Sequence, residues 1–460
     1  MHLMNHTFDE IQPGQSAALK RLITADDLFA FAACSGNYNP LHLAESAASG
    51  EHAAHEQVAP GMFIGSLIAA VLGTKLPGAG TLYRKQHLEF YERAHAGEEL
   101  ICEVEVLEKQ ADGLVKLRTS VRRVVDEALI VSGEAWVSAP TQKIETDIAI
   151  PGLVVQRHRH FERLLEKVRS LDPLPTAVVC PTEGNALSGA LLAARESVIV
   201  PILIGCEAAI RHAAEQLHED LTGIEIVDAQ GSDESVAARA CAIVREGRAA
   251  AVMKGHLHTD DLLRPMLDKA HGLRAGRRFT HVFVMDVPGM PEPLMVTDAA
   301  INIAPDLATK VDICQNAIDL ARSIGLEPRV GVLSAVETVN PAIQSSIDAA
   351  LLSKMADRGQ IRGGLVEGPL AMDNAVDLAA ARTKGLKGGV AGQANILVVP
   401  GLDAGNMLAK QLAYISHAEG AGVVLGAKVP VILNSRSDSA MSRLASCAVA
   451  ALHHASHHTS

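Results

Sequence analysis

The sequence predicts two folds in series: an α+β domain, then a larger α/β domain of two subdomains with a cleft between them. Three observations predict it. Strands in the first part alternate apolar and polar residues with period two. Strands in the remainder are short, wholly apolar and separated by helical stretches, the pattern of a mostly parallel sheet covered on both faces. A polar segment with proline at both ends, residues 140–152 (PTQKIETDIAIPG), divides the two rhythms and reads as a linker. The expected domains are therefore residues 1–139 and 153–460.

In the front domain, Thr24-Ala-Asp-Asp27 has the form of a capping box with Asp in place of Glu or Gln. It starts a helix that runs to about residue 33. A second, strongly apolar helix is expected over residues 61–72, then strands over 82–91, 98–108, 114–125 and 128–138. Leu100, Cys102, Val104 and Val106 alternate with Ile101, Glu103, Glu105 and Leu107, as in a half-buried strand. Asp112-Gly113 has the chemistry of the hairpin turn between two of these runs. An antiparallel sheet wrapped on one apolar helix is the simplest assembly.

The second domain's strands are expected at 177–180, 198–204, 224–228, 250–253, 282–287, 294–297, 330–333, 396–399 and 429–433. Its length exceeds one typical core, hence two subdomains. The closing histidines, His453, His454, His457 and His458, read as a solvated tail.

Composition excludes several classes of function. Apolar residues are 48% and charged residues 20% of the 460, so the chain is globular rather than disordered. Aromatics are only 3% and the formal net charge is -12, which disfavours a nucleic-acid partner. Seven cysteines, an odd number with no Cys-x-x-Cys, fit a reducing cytosol better than a disulfide framework or a zinc site. The first ten residues do not form a signal peptide, and no apolar run nears the roughly 20 residues that span a bilayer. No metal cluster and no Walker-type Gly-Lys-Ser/Thr loop is present.

The strongest motif lies at the end of the last strand, Pro430-Val-Ile-Leu-Asn-Ser-Arg-Ser-Asp438. Ligands of open α/β sheets bind beyond the carboxyl ends of strands. Ser435 offers a hydroxyl there, and Arg436 a guanidinium fork matched to phosphate. Alone, this could equally be a polar loop. It is preceded, in order, by Met253-Lys-Gly255, Leu262-Leu-Arg-Pro265, Gly272-Leu-Arg274, Thr297-Asp-Ala-Ala-Ile-Asn302, Leu333-Ser-Ala-Val-Glu-Thr-Val-Asn-Pro341, Gly368-Pro-Leu-Ala-Met-Asp-Asn374 and Gly405-Asn-Met407.

The series resembles the phosphate acetyl/butyryltransferase family, over about two thirds of the chain, and its wording is closer to the butyryl-type branch. The resemblance implies reversible transfer of a short acyl group between coenzyme A and inorganic phosphate, with coenzyme A as substrate and no other cofactor or metal. It implies a phosphate site at Arg436, Arg264 and Ser435. It implies contacts to coenzyme A or the acyl group at Lys254, Asp298, Asn302, Asp373, Asn374 and Asn406, each of which also suits a turn, a cap or a surface charge. The acetyl-type pattern has an acid about two helical turns after the Ser, and none stands there in this chain. Asp438 is the nearest carboxylate for the thiol proton, or equally the N-cap of the last helix.

The front domain also carries motifs: Phe31-Ala-Ala-Cys-Ser-Gly-Asn-Tyr-Asn-Pro-Leu-His42, Pro60-Gly-Met-Phe-Ile-Gly-Ser66 and Leu76-Pro-Gly-Ala-Gly-Thr81. They resemble the MaoC-like (R)-specific enoyl-CoA hydratases of the hot-dog fold. In that family an Asp and a His activate water. Here the His is His42, the Asp position holds Asn37, and Pro60 replaces a usual His. Asn cannot accept a proton at neutral pH. Ser66 and the helix start at Gly61 remain able to polarise a thioester carbonyl.

The expectation is a cytoplasmic, homo-oligomeric fusion enzyme, with neither nucleic acid nor membrane as partner. The alternatives are a fully bifunctional hydratase/acyltransferase, a non-catalytic acyl-CoA sensor, and a decarboxylating dehydrogenase of similar architecture, for which the acidic metal cluster is missing.

Overall fold

Thr24 and Asp27 close their capping box. The Thr24 hydroxyl accepts the Asp27 N–H at 3.1 Å, and the Asp27 carboxylate accepts the Thr24 N–H at 2.9 Å. The helix that follows ends at Gly36, whose φ of 71° lies in the left-handed region that glycine adopts without strain. The computed structural model of the protein describes residues 2–43, 57–110, 113–148, 158–435 and 438–458. Two compact units divide it, Met1–Val155 and Gln156–Ser460.

The front unit runs β1 (His2–Met4), β2 (Ser16–Leu22), α1 (Ala25–Ser35), α2 (Pro40–Leu43) and α3 (Gly61–Thr74), then β3 (Leu82–Phe90), β4 (Glu99–Lys109), β5 (Leu114–Arg123), β6 (Leu129–Ser138) and β7 (Glu145–Asp147). Five strands form one antiparallel sheet in the order β2-β4-β5-β6-β3. It curls around α3, which buries Phe63, Ile64, Leu67, Ile68, Val71 and Leu72. Alternate residues of β4 meet it, with Leu100, Cys102, Val104 and Val106 each 1% exposed. Burial of each such side chain contributes roughly 1.5–3 kcal/mol. This is the expected sheet on one helix, with β2 added as an edge strand whose outer face is too polar to read from the sequence. β4 and β5 pair antiparallel as a hairpin requires, and Gly113 has φ 84°; Asp112 lies outside the described residues.

The boundary of the linker differs from expectation. β1 pairs antiparallel with β7. Buried Asn5 holds the passing chain from both sides, donating to the Gln142 carbonyl at 2.8 Å and accepting the Ile144 N–H at 2.9 Å. Residues 140–148, expected within the linker, are thus stitched to the front unit by backbone bonds that composition does not reveal.

The second unit contains α4 (Arg159–Val168), β8 (Leu174–Val179), α5 (Gly184–Arg195), β9 (Ile199–Gly205), α6 (Glu207–Leu217), β10 (Glu225–Asp228), α7 (Asp233–Arg245), β11 (Ala251–Lys254) and α8 (Thr259–Met266). It continues with β12 (Thr280–Asp286), β13 (Leu294–Thr297), α9 (Leu307–Ser323), β14 (Arg329–Leu333), α10 (Gln344–Asp357), β15 (Leu365–Leu370), α11 (Met372–Val376) and α12 (Leu378–Thr383). Last come β16 (Ile396–Val398), α13 (Leu402–Tyr414), β17 (Glu419–Leu425), β18 (Val431–Ile432) and α14 (Ala440–His458).

One sheet of eleven strands runs through both halves, in the order β10-β9-β8-β11-β18-β17-β12-β13-β16-β14-β15. Each wing is parallel, as the apolar strands predict. The centre is antiparallel: β17 runs against β18 and β12, and β12 against β13. The wing from β13 to β15 therefore runs opposite to β18. Separate apolar cores flank the two wings, one pair around β8 and β11, the other around β13 and β16.

β15 and β17 are strands that the sequence reading lacks. β17 (EGAGVVL) begins with glycines that break an apolar run. They are needed there: a Cβ on Gly422 would collide with the Leu433 carbonyl, and one on Gly420 would stand 3.2 Å from Met285 Sδ. The histidine-rich end is not a free tail, because α14 continues to His458. Among the described residues no helix is long and apolar enough to cross a membrane.

Candidate active site

β11 and β18 end side by side, and their last residues open onto a cleft of about 750 Å³. Ser435, Asp438, Ser439 and Ser442 line it from the β18–α14 turn, Lys254 from β11, and His258 from the start of α8. Phe283 and Met285 on β12 supply an apolar wall. Asn406, Met407 and Lys410 on α13 face them. An apolar wall beside hydroxyls, two lysines and the carboxylates of Asp403, Glu419 and Asp438 suits a ligand that joins polar groups to a small apolar one.

The turn after β18 is held by its own side chains. The Ser435 N–H donates to Asp438 Oδ2 at 2.8 Å, and Asn434 Nδ2 donates to the same oxygen at 3.2 Å. Asn434 Nδ2 also reaches Ser446 Oγ on α14, at 3.0 Å. The Ser442 N–H bonds Ser439 Oγ at 3.0 Å, so Ser439 caps α14 and the cap role open to Asp438 falls to its neighbour. Asp438 instead braces Ser435, with Oδ1 as its remaining acceptor. Arg436 lies outside the described residues. Below the turn, burial pushes the His281 imidazole under its ordinary value, against the opposing pull of Asp298, the Leu433 backbone and Asp438, so the ring is neutral.

The other residues implied by the family resemblance divide into three groups. Lys254, 5% exposed, and Asn406 are in the cleft lining. Asp298 and Asn302 shape the loop after β13. Asp298 Oδ1 accepts the Ala300 and Ile301 N–H groups at 3.0 Å each, and Asp298 Oδ2 takes Asn302 Nδ2 at 2.6 Å. Asn302 Nδ2 also donates to the Phe279 carbonyl at 2.9 Å. Their polar atoms are thus used within the fold, the structural alternative for both.

Arg264, Asp373 and Asn374 stand apart from the residues that line the cleft. Arg264 is 65% exposed on α8, pairs with Glu234 at 3.2 Å, and is not part of the cleft lining. Asp373 pairs with Lys384 at 3.0 Å, which holds its carboxyl below the usual range. Asn374 Nδ2 reaches Glu337 Oε2 at 3.5 Å. Both follow β15, which lies six strands from β18, about 29 Å at 4.8 Å per strand. Among the cleft residues that the sequence reading lacks are His258, Phe283, Met285, Asp403, Lys410 and Glu419. Alternation along β12 is the one signal that marks a pair of them.

In the front unit, His42 Nδ1 donates to the Val58 carbonyl at 2.7 Å, which leaves Nε2 as the accepting atom of the neutral ring. Asn37 is a turn residue, its Oδ1 accepting the Asn39 N–H at 3.3 Å. The two side chains share no hydrogen bond. Ser66 Oγ donates to the Phe63 carbonyl at 2.6 Å, so its proton is used inside α3 and not on a ligand. At Gly61 a Cβ would stand 2.8 Å from the Phe90 ring, which explains glycine at the head of α3. The N-cap residue, Pro60, makes no side-chain cap bond there. Among the described residues no group of three or more His, Cys, Asp or Glu is placed to hold a metal.

Comparison with known proteins agrees with both halves. The profile described as phosphate acetyl/butaryl transferase matches residues 232–451, and the MaoC-like domain profile matches residues 9–127. A phosphate acetyltransferase of Rhizobium meliloti is 56% identical over 294 residues, 64% of this chain and 93% of that protein. A phosphate butyryltransferase of Clostridium beijerinckii is 38% identical over 295 residues, 64% of this chain and 97% of that protein. The crystal structure of a branched-chain phosphotransacylase from Enterococcus faecalis aligns at a TM-score of 0.54 and 31% identity, covering 61% of this chain and 99% of that one. The chain is a fusion: its larger part belongs to the phosphate acetyl/butyryltransferase family, and a MaoC-like domain precedes it.

Proposed function

We propose that the chain transfers a short acyl group between coenzyme A and inorganic phosphate. The observation that carries this reading is the meeting of Ser435, Asp438 and Lys254 in one cleft at the ends of β11 and β18. A phosphate oxygen attacks the thioester carbonyl carbon, the carbon–sulfur bond breaks, and the thiolate of coenzyme A leaves the acyl phosphate behind. Ser435 donates a hydrogen bond to the oxygen or sulfur on which charge develops. Arg436 and Lys254 hold the anions. In the reverse direction Asp438 accepts the thiol proton, since a thiol with an ordinary pKa of about 8.5 is mostly protonated at neutral pH. The reaction uses coenzyme A as substrate and needs no metal or further cofactor.

The front unit serves as an acyl-CoA-binding module with hydration suppressed. Asn37 supports this, because an amide whose oxygen is already in a turn supplies no base. The chain works in the cytoplasm as a homo-oligomer. The nine-residue edge strand β3 supports self-association, with Leu82, Tyr83 and Phe90 41–61% exposed. A panel of C2–C6 acyl-CoAs tests the reading. Release of free thiol that requires phosphate or arsenate, in the presence of a chelator, is the expected result. Failure with every member of the panel refutes it.

A further inference from the structure

Beneath the Ser435 turn lies a charge to which the reaction gives no task. Arg443, on α14, is 2% exposed. Its Nη2 donates to the Ser435 carbonyl at 2.9 Å. Its Nε and Nη1 are buried with no hydrogen-bond partner among the described residues. Burial draws the guanidinium below its ordinary value, and the charge of Asp438 acts against that. The fold makes room for this side chain: a Cβ on Gly189 of α5 would stand 2.5 Å from Arg443 Cδ and 2.9 Å from its Cβ.

An apolar residue of similar volume would leave no donor unpaired, and such replacements of buried charge are often neutral or stabilising. A local rule broken this openly points to function rather than stability. The geometry shows what the charge does. β18 ends at Ile432, so no strand pairing fixes Ser435. Its backbone is instead held at both ends, the N–H by Asp438 Oδ2 and the carbonyl by Arg443 Nη2. Arg443 itself is absent from the cleft lining.

We propose that Arg443 is a positioning residue for acyl transfer: it touches neither substrate and acts through Ser435, whose backbone it clamps against Asp438. The proposal rests on the acyltransferase reading above.

Steady-state kinetics of the full chain, with phosphate and acyl-CoA varied, test it on Arg443→Met, Ser435→Ala and the double variant. Methionine fills similar space without the charge. The expected result is a kcat for Arg443→Met lower by about tenfold or more, with both KM values within about twofold and no fall in Tm. In the Ser435→Ala background the same change adds nothing, because the clamp has lost the hydroxyl it positions. Arg443→Lys, which still reaches a carbonyl, restores part of kcat. An unchanged kcat in Arg443→Met, or an equal loss in both backgrounds, overturns the proposal. If Arg443→Met does not fold, Arg443→Lys is compared in the two backgrounds: loss confined to the Ser435 chain supports the clamp, and equal loss overturns it. An unmodified chain without phosphate-dependent thiol release removes the acyltransferase reading, and this proposal with it.

Discussion

At Asn37 an amide nitrogen stands where hydration chemistry needs a second carboxylate oxygen. Of the rest of that frame, His42 presents Nε2 because Nδ1 is tied to Val58, while Ser66 spends its proton on the Phe63 carbonyl. Asn37→Asp tests whether the missing base is the obstacle. An aspartate oxygen can keep the turn bond to the Asn39 N–H, and the position is exposed, so the fold tolerates the charge. Crotonyl-CoA hydration is expected to be slow or absent in the natural chain and to rise about tenfold or more in the variant, since a general base is typically worth 10²–10⁴-fold. A folded variant with no gain means that Pro60 or another change has dismantled the site. The placement of the candidate residues was partly legible in the sequence. Ser435 and Asp438 could be placed because a strand end puts neighbours in sequence together in space. Arg264, Asp373 and Asn374 could not, because their motifs carry no information on how the helices and turns that bear them pack.

The element that joins most of these observations is α14. It places Ser439 as its cap, Ser442 at the cleft, Arg443 under Ser435 and Ser446 against Asn434, and it ends in histidines. Composition alone marked that end as a solvated tail. The apolar period of the helix in fact carries on past Cys447 and half-buries His453, which bonds Ser323 Oγ at 3.3 Å and packs against the His457 ring at 4.3 Å between centroids. Burial, with help from His457, lowers the His453 pKa from 6.5 to about 4. Between those values the unfolded chain binds a proton that the folded chain refuses, so stability rises with pH across the window and is lost as pH falls from 6.5 toward 4. Denaturant unfolding at pH 7 and pH 5 measures this. His453→Asn removes the titration and is expected to shrink the acid-side loss by about 2 kcal/mol. An unchanged loss means that the imidazole is not held neutral.

At the scale of the molecule, the change of rhythm in the sequence marks two folds because each architecture has its own burial period. The α3–sheet assembly was legible down to single strands for that reason, apart from the polar edge β2. In the second unit the parallel wings were legible, and the antiparallel centre was not. Strand direction is set by pairing partners distant in sequence, and the glycines of β17 remove the apolar signal where the sheet is most crowded. The linker was placed early for a similar reason, since β1 supplies the partner of β7 from the far end of the unit. The two candidate sites fall in separate units, so an acyltransferase working beside a silent hydratase frame is the central claim. Phosphorus NMR of the unmodified chain with butyryl-CoA and inorganic phosphate, alongside thiol titration, tests it most directly. The account predicts an acyl phosphate resonance that grows in step with free thiol, one for one, and that retreats when coenzyme A is added. Thiol released without acyl phosphate, or no release at all, would contradict it.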